Sequence, residues 1–440
     1  MPASPSTARA INDRLALRLL QREGPLTAGQ LKQLTGLSRP TVADLVERLT
    51  ASGLIEMVGE SGAQRRGPNA RLYGIVGDRA HLAALDVRLE SVSVVVSDLV
   101  GRVLAEASVP IDADAGTGPA VEQAVALVER AVKEAGAEAG ATGPGAAGVQ
   151  RRESVRGPEP VREWGSLHTV GIGAPGLIDP ATGELRNTTG LPAWHRSLVG
   201  ALQERLPDAR VVVENETNLA ALAEMRDGAA RDRDTFVLLW LDMGIGAAVV
   251  LDGALRRGAS GGAGELGFLP VPGTRGLPSA TDCEGGFHSL AGAAAVLELA
   301  RECEVLGVGG AGEATAAQVV RWAVATVTDG DAEAMRPDAP RGAAAPRKVH
   351  ARAARFLDTL ADRLALGVAS VVALLDPGCV VLGGEVGQAG GDELAVRVAE
   401  RIAGMSPLPV EVRPSVLGDT AVLRGALLTA QDGAQDELFG

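Results

Sequence analysis

The run TAGQLKQLTGLSRPTVADLVERLTASGLIEMV, residues 27–58, holds two helix starts and one tight turn. Thr27 and Gln30 stand at capping-box spacing: the threonine hydroxyl accepts from the first turn and the glutamine reaches back to the threonine amide. That helix is short, to about Thr35, and Gly36-Leu37 makes the turn. Ser38 caps the next helix, with Pro40 in its first turn, where the missing N–H leaves no bond unmade. Val42, Leu45, Val46 and Leu49 follow at i, i+3, i+4 and i+7, one apolar stripe. Gly53 closes this helix, and Leu54 to Val58 alternates as a strand.

On the N-terminal side, residues 8–22 form another helix, with Ile11, Leu15 and Leu19 on one face and Gly24-Pro25 at its end. On the other side, residues 59–69 are a loop and Ala70 to Val76 the returning strand. Three helices with a tight turn between the last two, then a two-stranded ribbon, make a winged helix-turn-helix. The third helix can lie in a DNA major groove while its stripe packs on the first two. Candidate DNA contacts are Ser38, Arg39, Thr41, Asp44 and Arg48 on that helix, with Arg65, Arg66 and Arg71 in and after the loop. Arginine pairs bidentately with guanine, and threonine touches thymine methyls or phosphates. Basic wing residues reach a minor groove or neutralise phosphates. Arg48 has an alternative: an i, i+4 ion pair with Asp44 on a solvated helix face.

The 440 residues are enough for two or three domains. With 46% apolar and 22% charged residues, wholesale disorder is excluded. Only 2% are aromatic, too few for a stacking platform for single strands. The net charge of −13 argues against a nucleic-acid partner until it is divided by position. Residues 1–76 hold ten basic and six acidic side chains, a net of +4, and the remainder carries −17. Such asymmetry marks an appended nucleic-acid module. Cys283, Cys303 and Cys379 are too few and scattered for a disulfide framework, so a reducing cytoplasm is expected. There is no signal pattern at Met1 to Thr7 and no apolar run of the ~20 residues a membrane span needs.

From Ala80 the pattern changes. Residues 83–87 and 91–97 and Arg102 to Val109 read as strands, with a hairpin turn at Asp98-Leu99-Val100-Gly101 and a helix from Pro119 to about Glu138. This β-β-β-α order and the alternation after it indicate a sheet flanked by helices. Residues 139–162 and 328–347, rich in Gly, Ala, Pro and charge, read as flexible insertions, and residues 434–440 as a loose tail.

Four segments carry a family resemblance. They are Gly171 to Pro180 (GIGAPGLIDP), Val213 to Leu222 (VENETNLAAL), Gly261 to Phe268 (GGAGELGF) and Val380 to Gly384 (VVLGG). In this order, residues 77–433 resemble the ROK family, which groups bacterial sugar kinases, repressors and related open reading frames. A winged helix in front resembles its repressor branch. The resemblance implies an α/β, two-lobed, actin-like and ribonuclease-H-like ATPase fold of the sugar-kinase type, preceded by an all-α/winged-helix DNA-binding domain at residues 1–76. Lobe one would take about 77–200 with a C-terminal helix at about 418–433, and lobe two about 201–417.

The family's phosphate-binding turns are eroded. Where its kinases have Asp-x-Gly-Gly-Thr, this chain has Asp86-Val87-Arg88-Leu89-Glu90; both glycines carry side chains and Glu90 adds negative charge. The second turn reads Asp242-Met243-Gly244-Ile245-Gly246, with a carboxylate where a phosphate would sit. Gly383-Gly384 is intact, and a structural turn explains it as well. The family's general base, an aspartate after asparagine, is here Glu216 after Asn215, one methylene longer; a misplacement of about 1 Å costs orders of magnitude in rate. No catalytic residue and no bound cofactor are expected, with Glu216 a degenerate base.

The implied sugar contacts survive in part as Gly190, Asn215, Glu216, Glu265 and Phe268. Gly190 replaces an asparagine, Phe268 a zinc-binding histidine and Ser289 a glutamate. Of the zinc cysteines only Cys283 remains, with His288 nearby, and two donors cannot build a tetrahedral site. The expectation is a regulator without metal, acting on double-stranded, pseudo-palindromic DNA as a homodimer or dimer of dimers. A sugar-like effector between its lobes would change the spacing of two DNA heads. The alternatives are a sugar kinase with a regulatory head, and a regulator with a vestigial cleft answering to a protein partner.

Overall fold

The computed structural model describes residues 5–61, 70–112, 114–142, 167–186, 191–274, 276–280, 285–305, 314–328 and 346–439. They gather into two compact units. One comprises Met1–Ile172, Ser197–Val212 and Ala426–Gly440; the other comprises Gly173–Arg196 and Val213–Gly425.

The first unit opens with α1 (Pro5–Glu23), β1 (Leu26–Thr27), α2 (Ala28–Thr35), α3 (Arg39–Ala51), β2 (Ile55–Ser61) and β3 (Ala70–Ile75). The capping box forms: Gln30 N donates to Thr27 Oγ1 at 3.2 Å and Thr27 N to Gln30 Oε1 at 2.9 Å. Val42, Leu45, Val46 and Leu49 are all buried. The ribbon is a three-stranded sheet in the order β1-β3-β2, because Leu26 and Thr27 pair antiparallel with β3. The expected face of α1 needs correction. Ile11 is 58% exposed and Leu15 40%, while Ala16, Leu17, Leu19 and Leu20 are buried. At ~100° per residue the buried face lies roughly a third of a turn from the expected one, where Leu17 and Leu20 supply the bulk.

The rest of this unit is built on β4 (His81–Val87), β5 (Ser91–Asp98), β6 (Val103–Pro110), α4 (Thr117–Thr142), β7 (Leu167–Ala174), α5 (Trp194–Arg205) and β8 (Arg210–Asn215). The sheet runs β6-β5-β4-β7-β8, with β5 antiparallel to both of its neighbours, β4 and β6. Leu82 to Val87 are buried at every position, as a central strand requires. The last helix, Ala421–Leu438, corrects the tail expected at 434–440. Ala434 and Gln435 are buried, and the Nε2 groups of Gln431 and Gln435 donate to Leu99 O at 2.9 and 3.3 Å. The helix therefore continues to satisfy the carbonyl at the β5–β6 hairpin. Asp436 adds an ion pair with Arg18 of α1 at 3.3 Å.

The second unit carries α6 (Glu216–Asp227), β9 (Phe236–Leu241), β10 (Ile245–Leu251), β11 (Ala254–Arg256), α7 (His288–Ala291), α8 (Ala293–Glu302), α9 (Ala316–Thr328), α10 (Pro346–Leu375), β12 (Cys379–Gly383), α11 (Gly384–Met405) and β13 (Glu411–Pro414). Its sheet runs β11-β10-β9-β12-β13; β9, β10 and β11 are antiparallel, and β12 is parallel to β9 and β13. One core joins Leu239 and Leu382 of the sheet to Phe287, Phe356, Leu360 and Val398 of the helical layer. Phe287 is wholly buried, and a Cβ on Gly367 of α10 would lie 2.5 Å from its ring.

The units divide elsewhere than the expected lobe limits of 200–201 and 417–418. Arg205 of α5 donates to Glu129 at 2.9 Å and Glu122 at 3.1 Å of α4, which keeps 197–212 in the first unit. Residues 173–196 belong to the second, where Gly176 O accepts from Asn215 Nδ2 at 3.0 Å. Of the expected insertions 139–162 and 328–347, the helices reach Thr142 and Thr328, and α10 starts at Pro346. Residues 143–166 and 329–345 lie outside the described residues. Among the described residues no helix is long and apolar enough to cross a membrane.

Candidate DNA-binding helix and effector site

The recognition helix is fixed at its start by side chains that are themselves candidate contacts. Thr41 N donates to Ser38 Oγ at 3.3 Å, and the two hydroxyls lie 2.7 Å apart. Arg39 beside them is exposed and joins no ion pair among the described residues. Arg48 is committed: it pairs with Asp44 on its own helix and with Asp13 of α1 at 2.5 Å. The ion-pair alternative for Arg48 thus acquires a tertiary partner that sequence spacing did not show. Arg71 lies exposed on β3, in register with Glu60 of β2. Arg65 and Arg66 fall outside the described residues.

Of the effector candidates, Asn215, Glu216, Glu265 and Phe268 lie in the second unit. Asn215 caps α6: its Oδ1 accepts from Thr217 N at 2.9 Å and Asn218 N at 3.3 Å. Its Nδ2 donates to Gly176 O at 3.0 Å and Glu216 Oε2 at 2.9 Å. All four hydrogen-bonding capacities of this amide are used, so Asn215 orients Glu216 and offers no free group. Glu265 follows a glycine-stitched loop. Built on Gly261 and Gly264, a Cβ would lie 2.0 Å from Ile178 O and 1.8 Å from Ala247 O, so neither position admits a side chain. Glu265 keeps an open edge, yet surrounding protein strips solvent from its carboxyl and pushes its pKa up. Phe268 closes a single 3-10 turn and is 37% exposed. Gly190 lies outside the described residues.

Glu214 and Arg257 were not singled out from the sequence. Glu214 is buried; its Oε1 accepts from Asn215 N at 3.0 Å and Asn218 Nδ2 at 2.9 Å, and its Oε2 from Arg257 Nε at 2.6 Å. The available signal was a carboxylate at the end of an apolar strand, which needs a cation when buried.

In the two turns marked by the family resemblance, side chains of the turn residues make internal contacts. Asp86, in β4, is buried and accepts at 2.9 Å from Nε of Arg88, in the turn that leads to β5. Met243 N donates to Asp242 Oδ1 at 2.8 Å, and Met243 is 65% exposed. Gly384, with φ of 74°, has a structural reason: a Cβ there would stand 2.4 Å from Leu241 O. Among the described residues no group of three or more His, Cys, Asp or Glu side chains could hold a metal ion. Cys283 lies outside them, and burial lowers the pKa of His288.

Known proteins match both parts. Residues 159–433 match the ROK family and residues 11–67 the MarR family. The xylose repressor of Caldicellulosiruptor bescii is 23% identical over 425 residues, covering 95% of each chain. A glucokinase of Halalkalibacterium halodurans is 29% identical over 274 residues, 60% of this chain and 76% of that one. A solved ROK family transcriptional regulator, a homolog of the E. coli MLC protein, shares the fold with a TM-score of 0.70 at 18% identity, over 98% of both chains. Because the ROK match takes in more than half of the residues, from β7 to the last helix, the chain belongs to the ROK family.

Proposed function

We propose that this chain is a DNA-binding transcriptional regulator, a repressor, with a head at residues 1–76 and a ROK body at 77–433. The body forms the homodimer or dimer of dimers, senses a small polyhydroxylated ligand, and transfers no phosphate. A DNA partner implies a cytoplasmic protein. The observation that carries this reading is the capped recognition helix with Arg39 exposed at its start, in a segment of net +4. The xylose repressor that matches both parts of the chain supports it.

Genome-wide footprinting of the purified protein tests the reading. Discrete protected sites with salt-dependent affinity are expected; no salt-dependent affinity for any fragment would sink it. On a footprinted site, Arg39→Ala should cost about 1–3 kcal/mol and relax preference at one base pair. Anisotropy titration against single-base variants of the site measures both.

A second reading, a sugar kinase with a regulatory head, is favoured by the glucokinase match and by the carboxylate retained at Glu216. Against it stand the Asp86–Arg88 pair and the Asp242 carboxylate on the Met243 amide. A coupled assay with ATP and a panel of hexoses should show no turnover above background. Measurable turnover would establish the kinase.

A further inference from the structure

Glu214 and Arg257 are 43 residues apart and belong to different arms of the same site. Glu214 lies near the end of β8, just before Asn215 and Glu216, and its buried carboxylate holds the Asn215 amide and the Asn218 side chain. Arg257 begins the loop that leads through Gly261 and Gly264 to Glu265. Residues 176–178 brace both arms: Gly176 O accepts from Asn215, and Ile178 O abuts Gly261. A buried carboxylate without a cation is strongly unfavourable, so Glu214 holds the Arg257 end of the loop wherever it sits itself.

We propose that Glu214 and Arg257 are positioning residues of the effector site, whose ion pair ties the arm bearing Glu216 to the arm bearing Glu265 and sets the distance between those two carboxylates. This rests on reading Glu216 and Glu265 as ligand contacts. A ligand that bridges two carboxylates through its hydroxyls depends on their separation, so breaking the tie weakens binding without removing any contact.

The test uses the full-length protein with Arg257→Met, Arg257→Lys and Glu214→Gln. Titration calorimetry with D-xylose, D-glucose and N-acetyl-D-glucosamine reads affinity. Amide hydrogen exchange of segments 212–222 and 258–268, without sugar, reads the tie itself. If the parent protein binds one of the sugars, Arg257→Met should weaken it about 10–100-fold, the effect of losing a hydrogen bond between charged groups, and Arg257→Lys should recover most of the loss. Unchanged affinity in Arg257→Met overturns the proposal. If the parent binds none of the three sugars, the effector reading fails, and exchange alone judges the tie. Both segments should then exchange about tenfold faster in Arg257→Met, while Arg397→Met, which breaks an ion pair between α10 and α11, leaves them unchanged. Acceleration of neither segment, or of one only, overturns the proposal. Should Arg257→Met fail to fold, Glu214→Gln, which keeps the shape and removes the charge, is read against the same outcomes.

Discussion

Glu224→Ala is expected to lower the unfolding free energy by about 3 kcal/mol or more, because it strands several donors that a single carboxylate now satisfies. Glu224 lies in α6 with no exposed surface. Its Oε2 accepts from Ala229 N at 2.6 Å, and its Oε1 accepts from Ser415 Oγ, from Val416 N at 3.2 Å and from Leu417 N at 3.1 Å. The side chain thus closes the end of α6 and pins the loop after β13 in one step. Gly228 is part of the arrangement, since a Cβ there would come 2.0 Å from Glu224 Oε2. Glu224→Gln keeps the volume but turns one oxygen into a donor that faces N–H groups, so it should destabilise too, by roughly half as much. Urea denaturation measures this as a lower midpoint at constant slope. A change in Glu224→Ala below about 0.5 kcal/mol, the range of ordinary surface substitutions, would show that water replaces the carboxylate without loss.

Leu45→Ala should abolish operator binding although it alters no candidate DNA contact. Leu45 is buried at the centre of the α3 stripe, between Val42 and Leu49. Truncating a buried leucine costs about 2–5 kcal/mol, a large share of what a segment this small can store. Affinity falls with the fraction of heads that hold the recognition helix in place, so a loss of about a hundredfold or more is expected. Glu47→Ala, on the exposed face of the same helix, is the control and should bind as the parent does. Near-normal affinity in Leu45→Ala would mean that DNA itself orders the helix, or that another element makes the contact.

The head was readable in advance because its signals are local. The capping box at Thr27 and Gln30, the Ser38 cap and the α3 stripe each lie within one or two helical turns, and all of them form. Periodicity leaves the α1 face open, because the helix carries two competing apolar rows and only tertiary contact chooses between them. The two-residue β1 is too short for any periodicity. In the body, the glycine-rich and Asn215–Glu216 segments are legible through resemblance, while the contacts that fix their backbones, to Ile178, Ala247 and Gly176, are distant in the chain. For Glu214, Glu224 and Arg257 the near contacts are local, but the partners that decide their roles, Arg257 for Glu214 and residues 415–417 for Glu224, stand 43 to 193 residues away and leave no pattern in the chain. Nothing local marks 434–440 as ordered, because the Leu99 carbonyl that holds Gln435 lies 336 positions earlier.

That last contact has a bearing on synthesis. Strand β7 passes so close to the final helix that a Cβ on Gly171 would lie 2.4 Å from Ala426 O, and the β5–β6 hairpin waits for Gln431 and Gln435. On a ribosome adding ~5–20 residues per second, β7 emerges on the order of tens of seconds before the helix that covers it. During that interval the sheet of the first unit lacks part of its cover, and so does the Arg18 end of α1. The recognition helix can fold early from local contacts, but the framework behind it is completed only when translation reaches the C-terminal helix. Nascent chains stalled between these two points are therefore the species most exposed to chaperones and to aggregation.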